Sequence, residues 1–590
     1  MLLPTQAIIL YQGAPGQREI RLSRILNFFG VPWGMAEISS LEEIEGNFPA
    51  SVVFGSAQAI AVALAQGDDV SASVAKAPAF YLYADEDRTA CAEALRALFG
   101  DPGLSLQDGP RGDVFLYVAR ELADLAGPMA GLQVTSRLRT EDAVLTGCGN
   151  LNLTTVISAG DAPVFARFQR GGNSIFFCTS SNMVDIDQPV GLGFYDVKDH
   201  FCSAVPLVLF LRFAFPHVAW GPQELGACVI IDDPLLRTNY GFCDFPKLSE
   251  LMKRRGFTTN IAFIPWNWRR TSRAGGEFFK KTAGEFSISI HGCDHTGGEF
   301  GTTSLEVLQN RAQMAQRRMR NHETRTGIHH DPVMVFPQGV FSSDCPAVLK
   351  HYGFLSAVNT ELIPVDSQNV RTRIADAWDV AIMRYGDFPI FTRRYPFHGL
   401  ENFAFDLLLG KPCLIVTHHD FFKDGGAKLI ELIEKIQSLN CRIHWRPLGE
   451  VIRRSCRRRP METGTVEVDM YASELLFDNP LSQPIEVRIR KRKSQDDLIS
   501  EVLSDGKPAT WTSEDGQIVL LERISPKSEK LFRVTYQEPA QDFTMRRTLR
   551  YELSVAARRI LSEFRDDYIS RSPFLSTQAE RLKGALKKAI

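Results

Sequence analysis

The sequence predicts an α/β protein centred on a (β/α) barrel, complete or distorted, over residues 221–458. An open α/β sheet domain (1–220) should precede it; a small β-sandwich (461–540) and a C-terminal helical segment (541–590) should follow. Three observations predict this. Short apolar runs alternate with amphipathic helical segments up to about residue 450. In the middle of the chain, residues able to bind metal or move protons often directly follow those runs. After Gly464 the pattern changes to short alternating segments separated by turn residues.

In the first region, Ala7-Ile8-Ile9-Leu10-Tyr11, Ser51-Val52-Val53-Phe54-Gly55, Phe80-Tyr81-Leu82-Tyr83 and Ser174-Ile175-Phe176-Phe177-Cys178 read as strands. Residues 18–29 and 90–99 carry helical periodicity. This alternation argues for an open, largely parallel sheet, similar in pattern to flavodoxin-like or amidotransferase-like domains. There is no GxGxxG in the right context, no P-loop and no GxSxG elbow. Gly147-Cys148-Gly149 and Asp185-Ile186-Asp187 read as turns.

In the middle region, Ala227-Cys228-Val229-Ile230-Ile231 runs into Asp232-Asp233. Asn260 to Ile264 leads to Pro265-Trp266-Asn267-Trp268, and Phe286 to Ile290 leads to His291-Gly292-Cys293-Asp294-His295. Val333-Met334-Val335-Phe336 leads to Pro337-Gln338-Gly339, Leu355 to Val358 leads to Asn359-Thr360, and Cys413 to Thr417 leads to His418-His419-Asp420. Helical segments such as 245–255, 304–326 and 428–438 lie between. Strand, rim residue and helix, repeated six or seven times, is the pattern of a (β/α) barrel. The basic stretch 453–460 reads as a solvated helix end and linker. The sandwich reads as a structural module, with sugar binding as the sharper option. The basic terminal helix (Arg558-Arg559, Lys583, Lys587-Lys588) reads as a docking or oligomerisation helix, or as packing against the sandwich.

Bulk properties narrow the function. The chain has 590 residues, 44% hydrophobic and 23% charged, with net charge −2. That balance calls for no nucleic-acid partner and no anionic membrane. The apolar stretch 205–215 is broken by Pro206 and Arg212 and is too short to span a bilayer. Eleven scattered cysteines include no CxxC pair. They suit a reducing compartment, and with no signal-peptide pattern the expected location is cytoplasmic.

His291 and His295 have i, i+4 spacing. If a helical turn follows the strand, both imidazoles share one side and can hold one metal. A carboxylate from another strand end would complete a His₂-carboxylate site. That donor set suits one divalent ion, zinc first, with iron, cobalt, nickel or manganese as alternatives. No Glu lies between the histidines as in HExxH, so the base must come from elsewhere, and Asp232 is placed for it.

Taken in order, the apolar strand with Asp-Asp, the His-x-x-x-His after a third strand, the aromatic-Pro loop and the late strand with His resemble the polysaccharide deacetylase (NodB-like carbohydrate esterase) family, over about 224–455. The resemblance implies a distorted (β/α) barrel and one divalent metal. It implies Asp232 as general base, Asp233, His291 and His295 as metal ligands, and a late histidine as general acid, His418 in preference to His419. The activity implied is de-N-acetylation of an N-acetylated sugar or polysaccharide, with oxyanion support from a backbone N–H of Pro337-Gln338-Gly339. A cytoplasmic setting points to a capsule or exopolysaccharide intermediate. One family feature is missing: no Arg precedes the Pro in Val335-Phe336-Pro337. Arg373, Arg384 and Arg394 are the candidates to replace it. Trp266, Trp268 and Tyr385 are candidate sugar-stacking residues. The rival expectations are a glycosidase or other hydrolase on a similar barrel, using paired carboxylates, and a non-catalytic carbohydrate-binding or scaffold protein.

Overall fold

The apolar runs assemble into three strand systems. The computed structural model describes residues 6–38, 51–65, 77–110, 112–149, 152–170, 173–191, 193–366, 371–461, 463–537 and 547–571. In the first system, Trp33–Glu37, Ala7–Tyr11, Val52–Ser56, Ala79–Tyr83 and Asn173–Cys178 lie side by side in that order, all parallel. Helices Gln17–Phe29, Ala57–Ala65 and Arg88–Phe99 follow the first, third and fourth strands in the chain. Beyond Asn173–Cys178 the sheet continues through Ala162–Arg170, Leu153–Ala159, Asp113–Val118 and Gln133–Arg137, all antiparallel. The sheet is therefore mixed rather than largely parallel. Gly160, at φ 59°, turns the chain between Ala159 and Ala162 in two residues. So short a connection permits only an antiparallel return.

The second system is a parallel sheet curled into a half-barrel. Leu225–Asp232, Thr259–Phe263, Phe286–His291, Val333–Val335, Ser356–Asn359 and Ile390–Thr392 pair in chain order. Cys413–Thr417 pairs with the other side of Leu225–Asp232, and Ile443–Trp445 adds a short eighth strand against Leu225–Ala227, on the side of Thr259–Phe263. The two far edges meet at one residue pair. Arg394 donates its N–H to Leu414 O at 2.9 Å and accepts from Val416 N–H at 2.9 Å.

Strand alternation explains what faces inward. Ala227, Val229 and Ile231 pack outward into the large helix-covered core, whereas Cys228 and Ile230 join an interior cluster with Val333, Val335, Val358, Phe391 and Leu414. Both faces are covered, hence the near-continuous apolar runs. Continuing the same parity brings Asp232, Arg393 and His418 to the inner rim. Phe286, Ile288 and Ile290 pack outward, so His291 shares the inward parity of Ser287 and Ser289.

The third system is two sheets sharing a core that includes Val468, Phe477, Ile489, Leu520, Phe532 and Val534. One has six strands and the other four. The basic stretch is no linker. Cys456–Pro460 is a strand of the six-stranded sheet, paired with Gly221–Pro222 and Val466–Met470. Its arginines are engaged: Arg457 pairs with Asp379 at 3.2 Å and lies over Phe28, and Arg459 pairs with Glu467 at 2.8 Å and lies over Trp220.

The C-terminal helix, Leu549–Phe564, runs into a π-helical turn, Arg565–Ile569. It packs on the barrel rim, not on the third system. Arg237 pairs with Glu563 at 2.7 Å, Tyr240 donates to Asp566 at 2.8 Å, and Arg547 pairs with Asp294 at 2.7 Å. The remainder of the expected helical segment, with Lys583, Lys587 and Lys588, lies outside the described residues. No helix among the described residues is long and apolar enough to cross a membrane.

Trp378 joins the first domain to the barrel. It is fully buried, with Phe28, Tyr195 and Phe405 at ring separations of 6.0, 6.2 and 5.6 Å. Trp378→Ala should destabilise the protein by roughly 3–5 kcal/mol, as large-to-small core substitutions do. Denaturant titration reads this as a lower midpoint; a loss of less than about 1 kcal/mol would show that this contact carries no core packing.

Candidate active site

The C-terminal rim of the barrel carries a cleft of about 350 Å³. Asp232, Asp233, His291, His295, Arg393 and His418 all line it. Asp232 closes its strand in the inward direction. Asp233 follows at φ 82°, which breaks the alternation and lets two consecutive carboxylates serve one cleft. His295 (φ 56°) and Gln338 (φ 59°) also hold left-handed backbone. Such conformations cost about 1–3 kcal/mol each for residues with a Cβ, and they gather at functional sites.

Asp233, His291 and His295 offer donor atoms that all lie within 4.8 Å of one another. Asp233 Oδ1 stands 3.4 Å from His291 Nε2 and 3.1 Å from His295 Nε2. It is buried, yet it accepts no well-formed hydrogen bond. His291, 2% exposed, places its Nδ1 2.9 Å from Val335 O. A carbonyl only accepts, so Nδ1 carries the proton and Nε2 keeps a free lone pair. Two imidazole nitrogens and one carboxylate oxygen at this spacing fit a divalent ion of the zinc type. The local field agrees. Burial presses His291 down, but Asp232 and Asp233 outweigh it and hold the imidazole above its usual pKa. Burial likewise pushes Asp233 up, and the two histidines, His295 foremost, hold it well below the usual carboxylate range.

His295 reaches this position by a route the sequence did not suggest. His291 ends a strand, and 292–299 is a loop rather than a helical turn. The buried carboxylate of Glu299 accepts the backbone N–H groups of Cys293, Asp294 and His295 at 2.8, 3.0 and 3.1 Å. Gly292 is required where the loop begins: its φ is 65°, and a Cβ there would lie 2.1 Å from Glu299 and 2.4 Å from Pro337. Asp294, fully buried, pairs with Arg318 and Arg547, each at 2.7 Å, and accepts from Tyr551 at 3.0 Å. The loop carrying the second histidine is thereby tied to the C-terminal helix.

The arginine that holds Asp232 is none of the three expected. Arg393 donates from Nη1 and Nη2 to the two carboxylate oxygens of Asp232, both at 2.7 Å. Arg373 pairs with Asp187, Arg384 with Asp376, and Arg394 with Asp406. Adjacent residues on an extended strand point to opposite sides, so Arg393 turns inward while Arg394 turns out. Burial pushes Asp232 up, but Arg393, then His291 and His418, hold it below its usual pKa.

His418 faces the cleft, with its buried Nδ1 unbonded among the described residues. His419 turns away: its Nε2 lies 3.3 Å from Asp566 and its ring stacks on Phe242. The expected sugar-stacking residues do not reach the cleft. Tyr385 is buried against Thr372, and Trp266 and Trp268 lie under Arg270 and Arg269. The cleft's own aromatic residues are Tyr240 and Tyr395.

No protein-family model matches the chain, and no curated protein matches it in sequence. Solved structures of similar fold include carbohydrate deacetylases and esterases. The carbohydrate deacetylase Agd3 aligns over 90% of this chain and 99% of its own, at 9% identity and TM-score 0.47. A putative polysaccharide deacetylase from Mycobacterium smegmatis aligns over 40% of this chain and 91% of its own, at 14% identity and TM-score 0.28. A family 4 carbohydrate esterase from Streptomyces lividans aligns over 36% and 85%, at 14% identity and TM-score 0.21.

Metal content tests the donor set directly. Zinc-loaded wild type, dialysed and assayed by elemental analysis, should hold about one equivalent. Asp233→Ala, and the double variant His291→Ala with His295→Ala, should hold almost none. Equal metal in all three would show that the ion is not bound here.

Proposed function

We propose that this protein is a metal-dependent carbohydrate deacetylase that hydrolyses the acetamide of an N-acetylated sugar within a glycan. One observation carries the reading: a carboxylate clamped by arginine, Asp232 on Arg393, sits beside a His-His-Asp donor set in one cleft, with His418 on the same cleft. Amide hydrolysis requires a base, an electrophile and an acid, and these groups supply the residue types.

A divalent ion held by Asp233, His291 and His295 would supply Lewis-acid activation of the water and the acetyl carbonyl. The remaining work falls to the chain. Asp232, ionised below its usual pKa, takes a proton from the attacking water. Its oxygens keep lone pairs for this even while accepting from Arg393. Negative charge grows on the carbonyl oxygen as the water O–C bond forms. Within 337–339, Pro337 has no N–H, and Gly339 N–H already donates to Phe336 O at 3.1 Å. Gln338 lines the cleft, and its backbone N–H is the one in this loop that would serve as donor to that charge. As the C–N bond breaks, His418 gives a proton to the leaving amine. Acetate and a free amino sugar result. We place the reaction in a cytoplasmic setting, which eleven unpaired cysteines favour, on a glycan or glycan precursor still inside the cell.

Acetate release from an N-acetylglucosamine oligomer, followed beside chain length, tests the reading. Wild type should release acetate without shortening the chain. Asp232→Asn should keep its metal and lose about 10²–10⁴-fold in kcat, the usual contribution of a positioned base, and His418→Ala should lose activity on a similar scale. Shortened chains without acetate would instead identify a glycosidase.

A further inference from the structure

The chemistry above leaves one wall of the cleft without a task. That wall comes from the C-terminal helix and its π-helical turn, which bring Arg558, Arg559, Ser562 and Arg565 to the cleft. Arg558, Ser562 and Arg565 share one helix face by their i, i+4, i+7 spacing, and Arg559 borders it. Elsewhere around the site, arginines are matched to carboxylates: Arg393 to Asp232, Arg394 to Asp406, Arg318 and Arg547 to Asp294. Arg565 is matched as well, with Nε donating to Asp566 at 2.7 Å.

Arg559 is different. It is 7% exposed, and its hydrogen bond among the described residues runs from Nη2 to Ser562 Oγ at 3.3 Å. Its buried Nε has no partner. Among the described residues it forms no ion pair, and the charge that most favours its cationic form is Asp233. An ion at Asp233 would consume that charge and leave two cationic centres on one cleft. Asp566 offers no relief, since it is committed to Tyr240, His419 and Arg565. A buried guanidinium in this position calls for an anion, and its planar donors match carboxylate and phosphate oxygens. Exposed Arg558 and Arg565 at the mouth extend the positive field along the approach.

We propose that Arg559, flanked by Arg558 and Arg565, is an anion subsite, and that the natural substrate is an acidic glycan bearing a carboxylate or phosphate on the N-acetylated sugar or its neighbour. This rests on the deacetylase reading and narrows its substrate class.

Binding separates the two ideas, because it is read without turnover. Zinc-loaded full-length protein is titrated calorimetrically with three oligomers of equal length. The first is N-acetylglucosamine alone, the second N-acetylglucosamine alternating with glucuronic acid, and the third N-acetylglucosamine linked through phosphodiesters. Wild type should bind one acidic oligomer at least about ten-fold tighter than the neutral one, the scale of one charge-assisted bidentate contact. Which of the two it prefers identifies the anion. Arg559→Gln, with metal content unchanged, should bring the acidic and neutral affinities to within about two-fold of each other. If that buried substitution prevents folding, the exposed pair Arg558→Gln with Arg565→Gln decides, by a lower affinity for the acidic oligomer and a flatter dependence on salt. Equal affinity for all three oligomers in wild type, or a preference that survives the folded variants, overturns the anion subsite. Acetate from every oligomer with no preference in binding would overturn the subsite and leave the deacetylase reading standing. A clear binding preference with acetate from none would do the reverse.

Discussion

Asp232 is a carboxylate at the inner rim of a barrel, and burial forbids it to remain ionised without a cation. Arg393 meets that demand with a two-pronged hydrogen bond. For Arg393 to reach inward, the chain must continue one residue past Ile390–Thr392 in extended form. The next residue, Arg394, then bridges to Cys413–Thr417 and joins the two free edges of the half-barrel. Clamping Asp232 and joining the sheet are thus one arrangement of two adjacent arginines. Arg394 also donates to Tyr195 O, so the first domain braces the same junction, with Trp378 buried alongside.

The roof depends on a similar logic. Asp294 lies inside the loop that carries His295; Arg318 and Arg547 neutralise it and Tyr551 donates a hydrogen bond to it, two of the three from the start of the C-terminal segment. The helix that brings Arg559 to the cleft is therefore anchored through the donor loop itself. Further along the helix, Glu563 and Asp566 dock on Arg237, Arg270 and Tyr240 of the barrel rim. Roof and donor set share one electrostatic frame, which gives a terminal segment a direct influence on the geometry of the cleft.

What the sequence made legible is what local periodicity encodes. Apolar runs of four or five residues marked six barrel strands, and the residue just past a run pointed to the rim. That logic, together with the His-x-x-x-His spacing and the family resemblance, singled out Asp232, Asp233, His291, His295 and His418, which the structure brings to one cleft. The strand Ile390–Thr392 offers only two apolar residues, Ile390 and Phe391, between Pro389 and Thr392, too few to register as a run. With it went Arg393, although its position one residue past a strand end was the signal used elsewhere. The i, i+4 spacing of the histidines suggested a helical turn, but Glu299, through three backbone bonds, makes the same approach from a loop. Glu299 was not legible because its bonds, four to six residues away, shape an irregular loop that has no periodicity, and Arg547, Tyr551 and the helix over the cleft were not, because they reach Asp294 across 253 and 257 residues of chain. Tryptophans drew attention by chemical type alone, whereas the cleft's aromatic residues follow from where Tyr240 and Tyr395 fall on the rim.

Three donors from two strand ends and one loop would hold a single divalent ion beside the clamped Asp232. Anomalous diffraction from crystals of the zinc-loaded protein tests it most directly. The account predicts one strong peak at about 2.0–2.2 Å from Asp233, His291 Nε2 and His295 Nε2, with Arg393 still on Asp232. A zinc peak at His419 and Asp566, or at any donor set lacking Asp233, would contradict it.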